Sequence, residues 1–253
     1  MVSIREYLDF AIDTAFQAGR FTLAHFQTGV AVDRKADDSP VTVADRGSEE
    51  LIRELIAKRF SDHAVFGEEM GSSENDSKYR WIIDPIDGTQ SFIRGVPLYG
   101  VLIGLEIEGE MVVGVCYLPA LDEMIAAGRG EGCWWNGREA RVSSVASLEE
   151  SLVSLTEPGS LDTAHRAFWA RLKASSRVIR GYSDCYGHCL VATGRCEVML
   201  DPVMNPWDSA PFLPILEEAG GTFTDWSGSA TIYGGSAIST NGLVSPEIEE
   251  FLK

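Results

Sequence analysis

Apolar residues near the start of the chain recur at helical spacing: Ile4, Leu8, Ala11, Ile12, Gly19, Leu23 and Phe26. With Ser3 and Glu6 set as a capping box, this stripe predicts a long amphipathic helix over 4–27. A polar loop follows, from Asp33 to Pro40. A second helix is expected from Asp45 to Phe60, burying Leu51, Ile52, Leu55, Ile56 and Phe60. The pattern then changes. Ala64-Val65-Phe66 reads as a strand end and Arg80-Trp81-Ile82-Ile83-Asp84 as a buried strand. Residues 98–107 and 111–118 read as a hairpin turned by Glu108-Gly109-Glu110. The Gly- and Trp-rich stretch 128–137 reads as a loop. Beyond it, strands at 152–156 and 177–181 flank a helix at 162–174, and a helix over 184–194 stops at Gly194. A strand at 196–201 precedes a helix from Asp208 to Gly220-Gly221. Short strands close the chain at 222–225 and 236–239. This mixture places the fold in the α+β or α/β class.

Of the 253 residues, 45% are hydrophobic, enough to bury one sizeable core or two smaller ones. No internal repeat or low-complexity linker appears. The division between halves is weakly marked near 140–150, giving an N-terminal half of 1–143 and a C-terminal half of 144–253. No apolar run reaches the ~18 residues of a membrane span. The opening Met1-Val2-Ser3-Ile4-Arg5-Glu6 lacks a basic segment followed by an apolar one, so a cytoplasmic protein without a signal peptide is expected. Five cysteines (Cys116, Cys133, Cys185, Cys189, Cys196) with no Cys-x-x-Cys pair suit reduced thiols. A formal net charge of −17 repels nucleic acid and anionic membranes, and neither is expected as a partner.

The strongest chemical signal is Trp81-Ile82-Ile83-Asp84-Pro85-Ile86-Asp87-Gly88-Thr89. A strand delivers two carboxylates three residues apart around a proline that fixes the backbone, so that both can turn toward one point. Hard divalent cations favour such clustered oxygens. Gly88 permits a tight turn, and Thr89 opens a helix whose first amides suit a phosphate. The plain alternative is that Asp-Pro and Asp-Gly are turn formers. Gly67-Glu68-Glu69 at a strand end and Pro206-Trp207-Asp208 at a helix start add two more acids, although Asp208 could serve only as an N-cap. Asp45, in Ser39-Pro40-Val41-Thr42-Val43-Ala44-Asp45, could likewise cap the second helix or face the other acids. Bringing Glu68, Asp84, Asp87 and Asp208 together requires neutralisation, for which metal ions are the usual means. The four histidines (His25, His63, His165, His188) show no clustered spacing and read as structural or surface residues.

Gly67-Glu68-Glu69, Asp84-Pro85-Ile86-Asp87-Gly88-Thr89, Trp207-Asp208-Ser209-Ala210 and Ser39-Pro40-Val41-Thr42-x-Ala44-Asp45 together resemble the signature set of the inositol-monophosphatase superfamily, in order and spacing across essentially the whole chain. The resemblance implies a layered α-β-α-β-α sandwich of the inositol monophosphatase and fructose-1,6-bisphosphatase type, usually dimeric, acting on a small phosphorylated substrate with two or three Mg²⁺ ions. It implies metal ligation by Glu68, Asp84, the Ile86 carbonyl, Asp87 and Asp208. Asp45 would pair with Thr89 to help activate the attacking water, with Glu68 also catalytic. The amides of Gly88 and Thr89 would hold phosphate. The run Gln90-Ser91-Phe92-Ile93-Arg94-Gly95-Val96-Pro97, the segment Arg180-Gly181-Tyr182-Ser183-Asp184-Cys185 and the stretch Gly234-Gly235-Ser236-Ala237 resemble the histidinol-phosphate phosphatases within the superfamily. Histidinol phosphate carries an ammonium and an imidazole. Two acids beyond the ligand set, Asp184 and Asp201, would match that cation in a substrate pocket shared with Asp87, Gly88, Thr89 and Asp208. Their plain alternatives are a helix N-cap for Asp184 and a turn before Pro202 for Asp201. An inositol phosphate, which offers only hydroxyls, or a broader range of sugar phosphates, is the competing substrate.

Overall fold

The computed structural model describes residues 2–73 and 75–253. Helix α1 (Ile4–Leu23) opens on the expected capping box: the Ser3 hydroxyl accepts the Glu6 N–H, and the Glu6 carboxylate accepts the Ser3 N–H. The helix ends four residues short of Gln27, which takes a positive φ of 58°. The polar stretch after it holds two short paired strands, β1 (Val32–Arg34) and β2 (Pro40–Thr42), where a loop was expected. Helix α2 (Val43–Arg59) follows, then β3 (Ala64–Gly67), β4 (Gly71–Ser72), β5 (Tyr79–Asp87) and the short α3 (Thr89–Ile93). The hairpin is β6 (Gly100–Ile107) and β7 (Glu110–Leu118), turned by Glu108 and Gly109, both at positive φ as a two-residue hairpin turn requires. Strands β8 (Glu123–Gly128), β9 (Gly132–Trp135) and β10 (Arg138–Glu139) extend the sheet. The expected loop at 128–137 therefore contains a strand. Strand β8 shows no alternation because both its faces are buried: Ile125 and Ala127 face one core and Ala126 another.

The second sheet contains β11 (Leu152–Leu155), β12 (Val178–Arg180), β13 (Val198–Asp201), β14 (Thr222–Thr224) and β15 (Ala237–Thr240). The helix expected at 162–174 is two helices, α4 (Pro158–Ala164) and α5 (Arg166–Ser175). At their junction His165 leaves helical geometry and places its ring 4.2 Å from Trp226. Helix α6 (Asp184–Ala192) matches its expectation. The helix expected from Asp208 is also divided, into α7 (Pro206–Ser209) and α8 (Phe212–Ala219). Pro211 has no N–H to continue the ladder of α7, so the chain starts a new helix there. A last helix, α9 (Ser245–Leu252), has an apolar stripe of Ile248, Phe251 and Leu252 that is too short to stand out in the sequence.

Five layers result. Helices α1 and α2 cover one face of the eight-stranded sheet, ordered β10-β9-β8-β7-β6-β5-β3-β4, around Leu8, Ala15, Ile52, Trp81, Ile103 and Val115. Helices α6 and α8 fill the middle, between that sheet and the five-stranded sheet ordered β12-β11-β13-β15-β14. Helices α4, α5 and α9 cover the outer face, around Val153, Leu161, Leu172, Val198 and Ile248. The fold is an α-β-α-β-α sandwich. A glycine pair decides how closely the middle layer approaches the first sheet. Gly104 and Gly114 face each other across β6 and β7. A Cβ on Gly114 would lie 2.0 Å from the Pro211 carbonyl oxygen, and one on Gly104 would lie 2.8 Å from the Ala210 Cβ. Without side chains there, the α7–α8 junction rests on the strands, and Asp208 is carried to the end of β5.

All five cysteines are buried and free. His63 is stacked between Phe60 and Tyr79 and accepts the Trp81 indole N–H at 3.0 Å. His188 is fully buried beside Ser239, and burial pushes its imidazole down to about 3. Among the described residues, no helix is long and apolar enough to cross a membrane.

Candidate active site

Side chains three apart on a regular strand point to opposite faces. Strand β5 overcomes this with a bulge. Asp84 pairs with Leu102 and Asp87 with Gly100, so β5 uses one more residue than β6 between the two pairs. Pro85, which has no donor to waste, lies in that bulge, and Asp84 Oδ1 steadies it by accepting the Ile86 N–H at 2.9 Å. Asp84 and Asp87 thereby converge with Asp208. One oxygen from each of the three lies within 4.8 Å of the others.

Asp208 reaches this point from a capping box. It is the third residue of α7, with Asn205 as the N-cap, and its Oδ2 accepts the Asn205 N–H at 2.7 Å. Asp45 occupies the same position on α2, where Thr42 is the N-cap. Asp45 Oδ2 accepts the Thr42 N–H at 2.8 Å and the Thr42 hydroxyl at 2.6 Å, while Oδ1 turns toward Thr89. Both acids therefore cap a helix through one oxygen and still face the site. The Thr89 hydroxyl lies 3.0 Å from the Ile86 carbonyl and 3.4 Å from Asp45 Oδ1, and its single proton can go to only one of them at a time. Glu68 stands outside the three-oxygen group but close to it. The Asp84 carboxyl is pushed well up by burial, and then by the charges of Glu68, Asp87 and Asp208. Burial likewise pushes Asp87 well up, helped by Asp184 and Asp208, and raises Asp208 to about 6.

Asp184 and Asp201 form a second acidic group beside Asp87. Thr156 joins them: its hydroxyl donates to Asp201 Oδ2 at 2.7 Å and accepts the Asp184 N–H at 3.1 Å. Asp184 is the first residue of α6, one past the N-cap Ser183, and has a positive φ of 56°. Such strain in a residue other than glycine concentrates at functional sites. The next amide, that of Cys185, donates to Asp87 Oδ2 at 2.7 Å and so ties the two acidic groups together. Asp201 is buried at the end of β13, and burial raises its carboxyl to about 8.

These donors fit a hard divalent cation. Three carboxylates, two from the bulge of β5 and one from α7, point at one place, and their mutual repulsion is what a cation relieves. Some groups of the site were not legible in the sequence. Lys35, in the turn between β1 and β2, places its ammonium 2.7 Å from both Glu68 and Glu69. Burial alone would lower it, but the two carboxylates hold it above its ordinary range. Thr156 and the Cys185 amide were missed as well, because neither belongs to an acidic motif. None of the four histidines lies among these groups.

The model of the inositol monophosphatase family matches residues 3–251. Among curated relatives, a histidinol-phosphatase of Chlorobaculum parvum is 47% identical over 91% of this chain and 90% of its own length. A histidinol-phosphatase of Mycobacterium tuberculosis is 36% identical over 94% of each chain. A fructose-1,6-bisphosphatase/inositol-1-monophosphatase of Thermotoga maritima is 36% identical over 95% of this chain and 93% of its own. Among solved structures, the extragenic suppressor protein SuhB of Bartonella henselae superposes with a TM-score of 0.91 at 29% identity, covering 98% of both chains.

Proposed function

Because this chain belongs to the inositol monophosphatase family, we propose that its phosphatase activity depends on Mg²⁺ and is directed at L-histidinol phosphate, releasing L-histidinol and phosphate. The convergence of Asp84, Asp87 and Asp208 carries the metal half of this reading. Glu68 and the Ile86 carbonyl complete a donor set for two or three ions. When bound, Mg²⁺ supplies positive charge to the phosphate oxygens and lowers the pKa of the attacking water. The chain's own groups do the rest. The Gly88 and Thr89 amides, at the start of α3, hold phosphate oxygens. With its proton given to Asp45 Oδ1, the Thr89 hydroxyl offers a lone pair to the water's proton. Asp45, a buried carboxyl raised above its usual range chiefly by burial, receives it. Glu68, which is paired with Lys35 and whose charge acts on Asp45, would be a second acceptor.

The substrate half rests on Asp184 and Asp201, and it is supported by the two relatives named histidinol-phosphatase. An ammonium and an imidazole placed beside these acids satisfy carboxyls that burial otherwise holds toward the neutral form. An inositol phosphate brings no cation to them, although relatives with inositol-1-monophosphatase in their names keep that substrate in contention. Phosphate release over histidinol phosphate, inositol 1-phosphate and fructose 1,6-bisphosphate decides between the two. The expected order of kcat/KM places histidinol phosphate first. Good turnover of inositol 1-phosphate with none of histidinol phosphate would remove the substrate assignment and leave the phosphatase chemistry standing.

A further inference from the structure

Helix α2 carries a second fully buried acid, Glu49, one turn beyond Asp45 and on the same face. Its bonds lead to the turn that bears Glu68. Glu49 Oε2 accepts the Glu69 N–H at 2.8 Å, and Oε1 accepts the Met70 N–H at 3.1 Å. Arg53, a further turn along α2, donates its Nε to Glu49 Oε1 at 2.8 Å and reaches the Gly71 carbonyl through Nη2. Gly67 completes the clamp from below, since a Cβ there would lie 2.3 Å from Glu49 Oε1. The carboxylate therefore packs against Gly67 before Glu68, and the residues after Glu68 are held by one ion pair. A largely buried ion pair such as this one adds little net stability compared with an apolar filling of the same space. The bonds made here fix the path of a short turn.

We propose that Glu49, with Arg53, is a positioning residue that sets the Gly67–Gly71 turn so that Glu68 faces Asp84 and the metal. This rests on the Mg²⁺ reading above. It makes α2 the common support of two parts of the site: Asp45 with Thr89, and the turn carrying Glu68. The test is calorimetric titration of Mg²⁺ into the full chain as wild type, Glu49→Gln, Gly67→Ala and the double variant, with melting of each protein in chelator. Glu49→Gln keeps the shape but leaves one accepting oxygen and no charge for Arg53. Gly67→Ala pushes the carboxylate off the turn from the other side. Each is expected to weaken Mg²⁺ binding by about 10- to 100-fold, as loss of a group supporting a metal ligand usually does. The double variant is expected to lose far less than the product of the two, because both break one clamp. Lower melting temperatures with a wild-type Kd for Mg²⁺ in both single variants would make Glu49 a structural residue and overturn the proposal. If the wild-type chain bound no Mg²⁺, the metal reading would fall first and the positioning role with it.

Discussion

Asp87→Asn is expected to lose phosphate-monoester hydrolysis by at least about 1,000-fold while remaining folded. A metal-ligand carboxylate contributes several kcal/mol of charge stabilisation, and about 4 kcal/mol corresponds to roughly that factor. The fold survives because asparagine keeps an oxygen to accept the Cys185 N–H, which ties Asp87 to α6. The metal-free variant is expected to be more stable than metal-free wild type, since a buried carboxyl crowded by Asp184 and Asp208 has been neutralised. The same crowding sets a pH dependence. Asp208 has an ordinary value of 3.8, raised to about 6 in the folded chain, so between those values the folded state holds more proton than the unfolded. Stability in chelator therefore falls as pH rises through that window, by up to roughly 3 kcal/mol for this group. Asp84 and Asp87 are also raised by burial, and they add to the fall in the same direction. Steady-state kinetics with Mg²⁺ and melting curves in chelator check both halves. Near-normal turnover by Asp87→Asn would mean that the metal is held elsewhere.

Asp184→Asn carries the next largest effect, and only on a cationic substrate. An exposed charge pair is worth roughly 1 kcal/mol and a desolvated one about 3 kcal/mol. That range corresponds to about 5-fold to more than 100-fold in kcat/KM on histidinol phosphate. Asp184 is half-buried and its carboxyl is raised chiefly by burial, which favours the upper part of the range. Asparagine also tolerates the positive φ at this position, so the start of α6 is preserved. With p-nitrophenyl phosphate, which has no cation to lose, turnover is expected to change little. Equal losses on both substrates would mark Asp184 as a support for α6 and Asp87 through the Cys185 amide.

What the sequence revealed and what it hid follow from how far apart the cooperating residues lie. Asp84 and Asp87 share one short run, and their purpose is readable because two acids and a proline in a strand have no packing role. Asp45 and Asp208 were ambiguous between cap and site, and the structure gives each both tasks, for Asp45 through different oxygens. Lys35 lies 33 residues before Glu68, and no local pattern links a lysine in a polar stretch to an acid at a strand end. Glu49 and Arg53 stand four residues apart on α2 with no local motif to mark them, yet Glu49 is fully buried. Among the elements, β8 was missed because burial on both faces erased its alternation. The divided helix after Pro206 was missed because its apolar spacing continues across Pro211. Long amphipathic elements such as α1 and α2 were legible from periodicity alone, with only their ends misplaced.

The most direct test of the central claim is phosphate release from histidinol phosphate by one preparation, measured before chelation, after it, and after Mg²⁺ is restored. Release is expected to vanish in chelator and to return with Mg²⁺. Ca²⁺, with its longer bonds and looser coordination, is not expected to restore it. Undiminished release in chelator, or full recovery with Ca²⁺ alone, would contradict a reaction carried by Mg²⁺ held between Asp84, Asp87 and Asp208.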